Sequence, residues 1–288
     1  MPQLSRRVVV GLLAMATTVS LAWVGGVAWA TLLALAAGTA TWELFRIART
    51  GGIRPAAWIG VPFAASIPLL SWAAFADVPV IGRFPVSAAI VALLAVCTAI
   101  LFSRGPGDRP LASAAVTIFG VLYTGGTLAF AYGLRYHPWV IGATAGTALA
   151  IFPMWLTWST DTGAFVIGRL IGRRKLMPSV SPGKTVAGAV GGLLLAVAMS
   201  YAYVQVILQP NASLTMTPLG ALGFGAVISI VAQLGDLAES LIKREAGVKD
   251  SSGLLPGHGG MLDRLDSLFF VLPVAYLILP LFVVGSSP

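Results

Sequence analysis

Long apolar runs separated by short polar breaks fill this chain from end to end. Nine stretches, 8–24, 26–46, 56–76, 84–103, 111–133, 138–158, 186–208, 217–242 and 265–285, are each long enough to cross about 30 Å of hydrocarbon as a helix. In hydrocarbon every backbone N–H and C=O must be satisfied within its own segment, so such runs fold as helices. The pattern predicts an all-α, polytopic integral membrane protein with about nine transmembrane helices. No repeat, low-complexity tract or soluble domain interrupts it, so residues 1–288 read as a single membrane domain. Composition agrees. Of 288 residues 57% are hydrophobic and 10% charged, with a mean hydropathy of +0.90, too apolar for a globule whose surface must be solvated by charge.

Charge adds orientation. The formal charge is +8, which in a soluble chain would suggest nucleic acid; in a multispan chain loop cations set topology and touch anionic lipid headgroups, so membrane lipids are the expected partner and nucleic acid is not. With nine spans and the N-terminus inside, sixteen of the eighteen basic residues fall on the cytoplasmic side, and only Arg83 and Arg135 fall outside. The expectation is a cell (inner) membrane protein with its N-terminus in, its C-terminus out and its polar face towards the cytoplasm. Arg6–Arg7 before the first run imitates a signal peptide and is read as the first anchor. Cys97, alone of its kind, excludes a disulfide framework.

The two parts of the chain differ. Residues 1–158 carry three acids, Glu43, Asp77 and Asp108, and read as scaffold helices; residues 159–288 hold the other seven and read as catalytic helices and cytoplasmic loops. In the eighth run Asp236, Glu239, Ser240 and Lys243 stand at i, i+3, i+4 and i+7, one helical face. Each unpaired carboxylate at membrane depth costs a few kcal/mol, so such groups face a cavity, a partner or an ion. After the turn SSGLLPGHGG, Asp263 and Asp266 again share a face, near a helix start. If the turn closes the hairpin, Asp236 and Asp263 converge with Asp266 close by, and a hard cation between them would relieve their repulsion. Oxygen ligands select magnesium, manganese or calcium over zinc. Lys243, Arg244, Lys249 and Arg264, with Arg169, Arg173, Arg174, Lys175 and Lys184 from an earlier loop, would then grip phosphates, and glycines 257, 259 and 260 would let backbone N–H groups approach an anion. Plainer readings exist for each: a surface ion pair for Asp236 or Glu239 with Lys243, carboxylates complementing a helix N-terminus for Asp263 and Asp266, and a turn residue for His258.

Read as a string, Ser240-x-x-Lys243-Arg244-x4-Lys249-Asp250-x5-Pro256-Gly-His258-Gly259-Gly260-x-x-Asp263-Arg264-x-Asp266 resembles the signature of the phosphatidate cytidylyltransferases, or CDP-diacylglycerol synthases. A second stretch, DTGAFVIGRLIGRRKLMPSVSPGKT from Asp161 to Thr185, looks like the same family. The resemblance implies a nucleotidyltransferase that converts CTP and phosphatidic acid to CDP-diacylglycerol and pyrophosphate with Mg2+, the number of cations being left open. It places metal ligation on Asp236 and Asp263, with Asp266 close by. Lys243, Arg244, Lys249, His258 and Arg264 fall on catalytic positions, and Asp161, Arg173, Ser181, Lys184 and Ser240 on substrate-binding ones. This sequence departs from the family at Gly183, Val186 and Ala187, where lysine, tryptophan and glutamate are frequent, and at Phe165, where tyrosine is common.

Two other readings compete: a CTP-dependent transferase acting on an isoprenoid lipid, and a transporter of phosphorylated solutes. A transporter would place its charges near the midplane in both halves, whereas here they gather in one. Gly188 and Gly192, at GxxxG spacing, predict close helix packing, within one chain or across a homodimer.

Overall fold

The computed structural model describes residues 3–76, 85–254 and 259–286. In chain order its helices and strands are α1 (Gln3–Val24), α2 (Gly26–Thr50), α3 (Ala57–Phe75), α4 (Pro85–Ser103), α5 (Pro110–Gly120), α6 (Thr127–Arg135), α7 (Gly142–Ile171), β1 (Lys175–Met177), β2 (Ser181–Thr185), α8 (Val186–Tyr203), α9 (Gln209–Ala212), β3 (Leu214–Met216), α10 (Pro218–Glu245), α11 (Met261–Leu265), α12 (Leu268–Phe282) and β4 (Val283–Ser286). Wider π-helical turns at Val121–Gly126 and Val204–Leu208 join α5 to α6 and α8 to α9 without breaking the rods.

Each apolar run falls largely on helix among the described residues, although α7 begins only at Gly142 and the last run ends in the strand Val283–Ser286. By length and composition, six described helical rods suffice to cross a membrane: Gly26–Thr50, Ala57–Phe75, Pro110–Arg135, Val186–Ala212, Pro218–Glu245 and Met261–Phe282. Val9–Val24 and Ile90–Ser103 are shorter apolar helices. Side chains such as Leu101, Phe102 and Leu111 stand exposed on these rods, as suits a solvent of lipid tails. The polytopic all-α reading therefore holds, with six such rods among the described residues where about nine were expected. One boundary moves for a clear reason. The apolar pattern ends at Trp158, yet α7 runs on through Asp161 to Ile171, because a helix with one polar face needs no unbroken apolar run.

The helices and loops group into two compact units, Met1–Tyr132 with Lys243–Leu265, and Gly133–Ile242 with Asp266–Pro288. In the first, the buried ring of Phe45 on α2 fills the space that side chains at Gly60 on α3 and Gly120 on α5 would occupy. Polar groups lock the same crossing. The Thr41 and Thr124 hydroxyls meet at 2.5 Å, and the Ala56 amide donates to Thr117 Oγ1 at 2.9 Å.

In the second unit α7 and α8 cross where both are lined by glycine. A Cβ on Gly163 would stand 2.6 Å from the Gly191 carbonyl oxygen and 3.0 Å from Gly192 Cα. Gly188 and Gly192 thus serve packing inside the chain, against Ala164 and Thr160 of α7. Between these helices β1 and β2 form an antiparallel hairpin, Lys175 opposite Thr185 and Met177 opposite Ser181. Pro178 follows Met177 in its turn, where a fixed φ suits the second turn residue, and the Val180 amide closes on the Met177 carbonyl at 3.1 Å. A second ribbon pairs Leu214 with Ser286 and Met216 with Val283.

Because the α7–α8 crossing admits no side chain at Gly163, Gly163→Ala is expected to cost about 1–3 kcal/mol of stability by overpacking. It would be read as a lower unfolding midpoint of the detergent-purified protein. Gly11→Ala, where nothing lies within 4 Å, should leave the midpoint in place.

Candidate active site

Two clusters of charged side chains stand out, one in each unit. The first lines a cavity of about 360 Å³. The walls are Thr160, Asp161, Ala164, Phe165, Gly168 and Arg169 of α7, Leu176 and Gly183–Thr185 of the hairpin, Gly188 and Ala189 of α8, and Gln233 and Asp236 of α10. The local folding that builds it is short-range. The hairpin turns Lys184 inward, and Thr185 caps α8, its hydroxyl accepting from the Gly188 amide at 3.1 Å, so the first turn of that helix opens on the cavity. Lys184 Nζ lies 2.5 Å from Asp236 Oδ2, both side chains being about one-third exposed or less. Ser240 Oγ donates to the other carboxylate oxygen at 3.4 Å. Gln233 Nε2 donates to the Ala189 carbonyl at 3.3 Å and to Ser229 Oγ at 3.4 Å, which ties α10 to α8. Arg169 lies over the Phe165 ring, 6.0 Å from its centroid.

The second cluster begins where α10 ends. Gly247, at φ +70, reverses the chain: its amide donates to the Arg244 carbonyl and that of Val248 to the Lys243 carbonyl, each at 3.0 Å. This is a Schellman stop, which needs the left-handed conformation that glycine adopts freely. Arg244 Nη1 braces the turn through the Val248 carbonyl at 2.9 Å. Lys243 Nζ donates to Asp263 Oδ1 at 2.7 Å, with both side chains nearly buried. Asp263 Oδ2 accepts three more bonds, from the Ser251 amide at 2.9 Å, the Ser251 hydroxyl at 2.8 Å and the Gly260 amide at 2.8 Å. Behind this loop stands Glu43 of α2, fully buried. Its Oε1 accepts from the Ser252 hydroxyl at 2.5 Å and the Met261 amide at 3.1 Å, and its Oε2 from the Leu262 amide at 2.7 Å, while the Ser251 hydroxyl, 3.0 Å from Oε2, shares its one proton between Glu43 and Asp263.

The sequence-predicted residues distribute as follows. Asp161, Lys184 and Asp236 line the cavity, and Ser240 bonds to Asp236. Arg173 is exposed beside the hairpin and Ser181 is half-buried within it. Lys243 and Asp263 form the second cluster's ion pair. Arg244, Lys249 and Arg264 are exposed. Asp266 accepts from the Ser267 amide at 2.6 Å, beside Gly235 of α10, where a Cβ would stand 2.9 Å from the Asp266 carbonyl oxygen. His258 and Gly257 lie outside the described residues. Among the described residues no three Asp, Glu, His or Cys side chains group closely enough to hold a metal ion; Asp236 and Asp263 are each met by a lysine.

The oxygen donors at the cavity, the carboxylates of Asp161 and Asp236 and the Gln233 amide oxygen, have the hard chemistry that suits Mg2+. Asp263 fits less directly, since Lys243 would have to give up Oδ1 first.

Thr160 and Gln233 went unnoticed in the sequence, although Gln233 stands three residues before Asp236 in an otherwise apolar span. Glu43 was assigned to the scaffold, because nothing local connects it with a loop more than two hundred residues away.

A sequence model of the cytidylyltransferase family matches residues 5–282. The chain is 32% identical over 286 residues to a phosphatidate cytidylyltransferase of Bacillus subtilis strain 168, covering 98% of this chain and 100% of that relative. It is 40% identical to one from Staphylococcus epidermidis and 38% to one from Staphylococcus aureus, each over 166 residues that make up 58% of this chain and 59% of the relative. Both charged clusters fall inside the matched residues, and on a likeness that runs nearly from end to end this chain belongs to the cytidylyltransferase family.

Proposed function

We propose that the protein transfers the cytidylyl group of CTP to phosphatidic acid, forming CDP-diacylglycerol and pyrophosphate at the membrane surface. The observation that carries this reading is the cavity in which Lys184 and Asp236 pair at 2.5 Å, set among helices apolar enough to cross a membrane. Its volume of about 360 Å³ falls in the range of about 300–1,000 Å³ typical of small-molecule sites. Phosphatidic acid carries its own nucleophile. A phosphate monoester has a second pKa of about 6, so near neutral pH its oxygen attacks the α-phosphorus of CTP without a strong base. The new bond joins that oxygen to the α-phosphorus; the bond from the α-phosphorus to the oxygen bridging it to the β-phosphorus breaks, and pyrophosphate leaves with the electron pair. No Ser–His–Asp arrangement is called for.

The barrier lies in bringing two polyanions together, which positioned cations lower. In the cavity Lys184 and Arg169 supply positive charge, and the first turn of α8 adds the favourable end of its dipole. Asp236 holds Lys184 in place from one side. Lys243, Arg244, Lys249 and Arg264 serve phosphate oxygens from the second cluster, with His258 as a further donor. Mg2+, which the oxygen donors of the cavity, Asp236 among them, would hold, would supply neutralisation of the triphosphate. The sixteen-to-two bias of basic residues supports an active site facing the cytoplasm, with the N-terminus in and the C-terminus out. Acidic lipid headgroups on that side would meet the exposed Arg173, Arg174 and Lys175.

Three outcomes test this reading. Purified protein offered CTP, dCTP or ATP with phosphatidic acid or an isoprenoid phosphate should release pyrophosphate with the cytidine nucleotides and phosphatidic acid, and only with a divalent cation present; release with the isoprenoid phosphate alone would reassign the lipid. Asp236→Asn should lower kcat/KM by about 10²-fold or more, the scale of losing one charge-stabilising group, and near wild-type turnover would refute its role. A cysteine at Gly253 in a Cys97→Ser background should react with a membrane-impermeant maleimide in inside-out vesicles and not in right-side-out ones.

A further inference from the structure

We propose that Glu43, on α2 in the part of the chain that reads as scaffold, is a positioning residue for the reaction: it anchors Ser251, Ser252 and the Gly260–Leu262 backbone and through them sets the Lys243–Asp263 pair. The proposal rests on the cytidylyl-transfer reading for its kinetic consequence and on geometry alone for the anchoring.

Glu43 is fully buried in an apolar helix, where a carboxylate is tolerated only if its oxygens are bonded. Four donors meet it, two on each oxygen, and all four belong to one loop: the hydroxyls of Ser251 and Ser252 and the amides of Met261 and Leu262. Those two amides open α11, and a helix's first N–H groups have no partner within the helix. Glu43 thus caps a helix that follows it by more than two hundred residues. The fit is close on the other side too. A Cβ on Gly260 would run into the Glu43 carboxylate and the Ser251 hydroxyl, so only glycine lets the loop lie this near.

The same loop holds the ion pair. The Ser251 hydroxyl, with one proton, lies 3.0 Å from Glu43 Oε2 and 2.8 Å from Asp263 Oδ2, so it joins the two carboxylates. Asp263 takes further bonds from the Ser251 and Gly260 amides and presents Oδ1 to Lys243. A path of direct contacts therefore runs from Glu43 through Ser251 and the Gly260–Leu262 backbone to Asp263 and Lys243. Among the described residues Glu43 touches none of the cations assigned to substrate. Its influence on the reaction is the placement of groups that do.

Glutamine at 43 would keep the shape but turn an N–H2 towards two of the four donors, and Ser252→Ala would remove one donor outside the ion pair. The test compares Glu43→Gln, Ser252→Ala and the double variant with wild type, each well below its unfolding midpoint. The readouts are CTP:phosphatidate kinetics and backbone hydrogen exchange at Gly260–Leu262. Glu43→Gln should lose at least about ten-fold in kcat/KM, the scale of one hydrogen bond to a charged group, with faster exchange at Met261 and Leu262. Ser252→Ala should lose less, and adding it to Glu43→Gln should change little further, because both remove the same contact. Wild-type kcat/KM in folded Glu43→Gln, unchanged exchange, or additive losses would each overturn the proposal. Should Glu43→Gln fail to fold, Ser252→Ala decides alone: reduced kcat/KM with faster exchange supports the anchor, and wild-type values of both overturn it. A wild-type chain without CTP:phosphatidate activity would count against the reaction, while the exchange rates would still decide the anchoring.

Discussion

An ionised carboxylate at the depth of a membrane-crossing helix costs a few kcal/mol unless donors or cations surround it. Glu43, Asp236 and Asp263 meet that condition in three ways. Glu43 is enclosed by four uncharged groups, the hydroxyls of Ser251 and Ser252 and the amides of Met261 and Leu262, the Ser251 hydroxyl being shared with Asp263. Asp263 combines three such groups with one ammonium. Asp236 keeps about a third of its side chain exposed, against the Lys184 ammonium and the Ser240 hydroxyl. The gradient has chemical meaning. A carboxylate whose acceptor sites are filled by backbone and hydroxyl groups is fixed in place; one facing a lysine in a cavity can exchange that partner for substrate or cation.

Small residues make the arrangement buildable. Packing between lipid-facing helices gains little from the hydrophobic effect, so close backbone approach and interhelical hydrogen bonds carry it. Glycines at the α7–α8 crossing bring the two helices within reach of the hairpin between them, and the hairpin delivers Lys184 to a cavity otherwise walled by α7, α8 and α10. Phe45 over Gly60 and Gly120 does the corresponding work for α2, α3 and α5, and two residues before Phe45 on α2 stands Glu43. Packing and site are thus coupled within the first unit: what fixes α2 also fixes the acceptor that holds Ser251, Ser252, Met261 and Leu262.

The chemistry asks little more of the protein than this. A lipid phosphate is already a competent nucleophile near neutral pH, so catalysis reduces to holding anions near one another, and lysines and arginines steadied by carboxylates and turns are suited to that task. The Schellman stop at Gly247 illustrates the economy of the design. It ends α10 just after Lys243 and Arg244, leaving one against Asp263 and the other against the Val248 carbonyl.

Much of this was legible in the residues themselves. Membrane helices announce themselves because lipid demands long apolar runs, and the runs fall largely on helix, six of the described rods being long and apolar enough to cross a membrane. The face shared by Asp236, Ser240 and Lys243 follows from helical period, and the spacing of the two signature stretches led to the family. Less was readable where polarity and helicity part company, as in α7 beyond Trp158, or where strands of three to five residues carry no periodic signal. Partners distant in sequence were not readable at all. Nothing near Glu43 predicts Ser251, and nothing near Lys184 predicts Asp236 as its counter-ion. Periodicity and composition are local properties, so sequence determined the membrane helices and the residues that carry charge. Which charge meets which depends on how helices cross, and that only the tertiary structure decided.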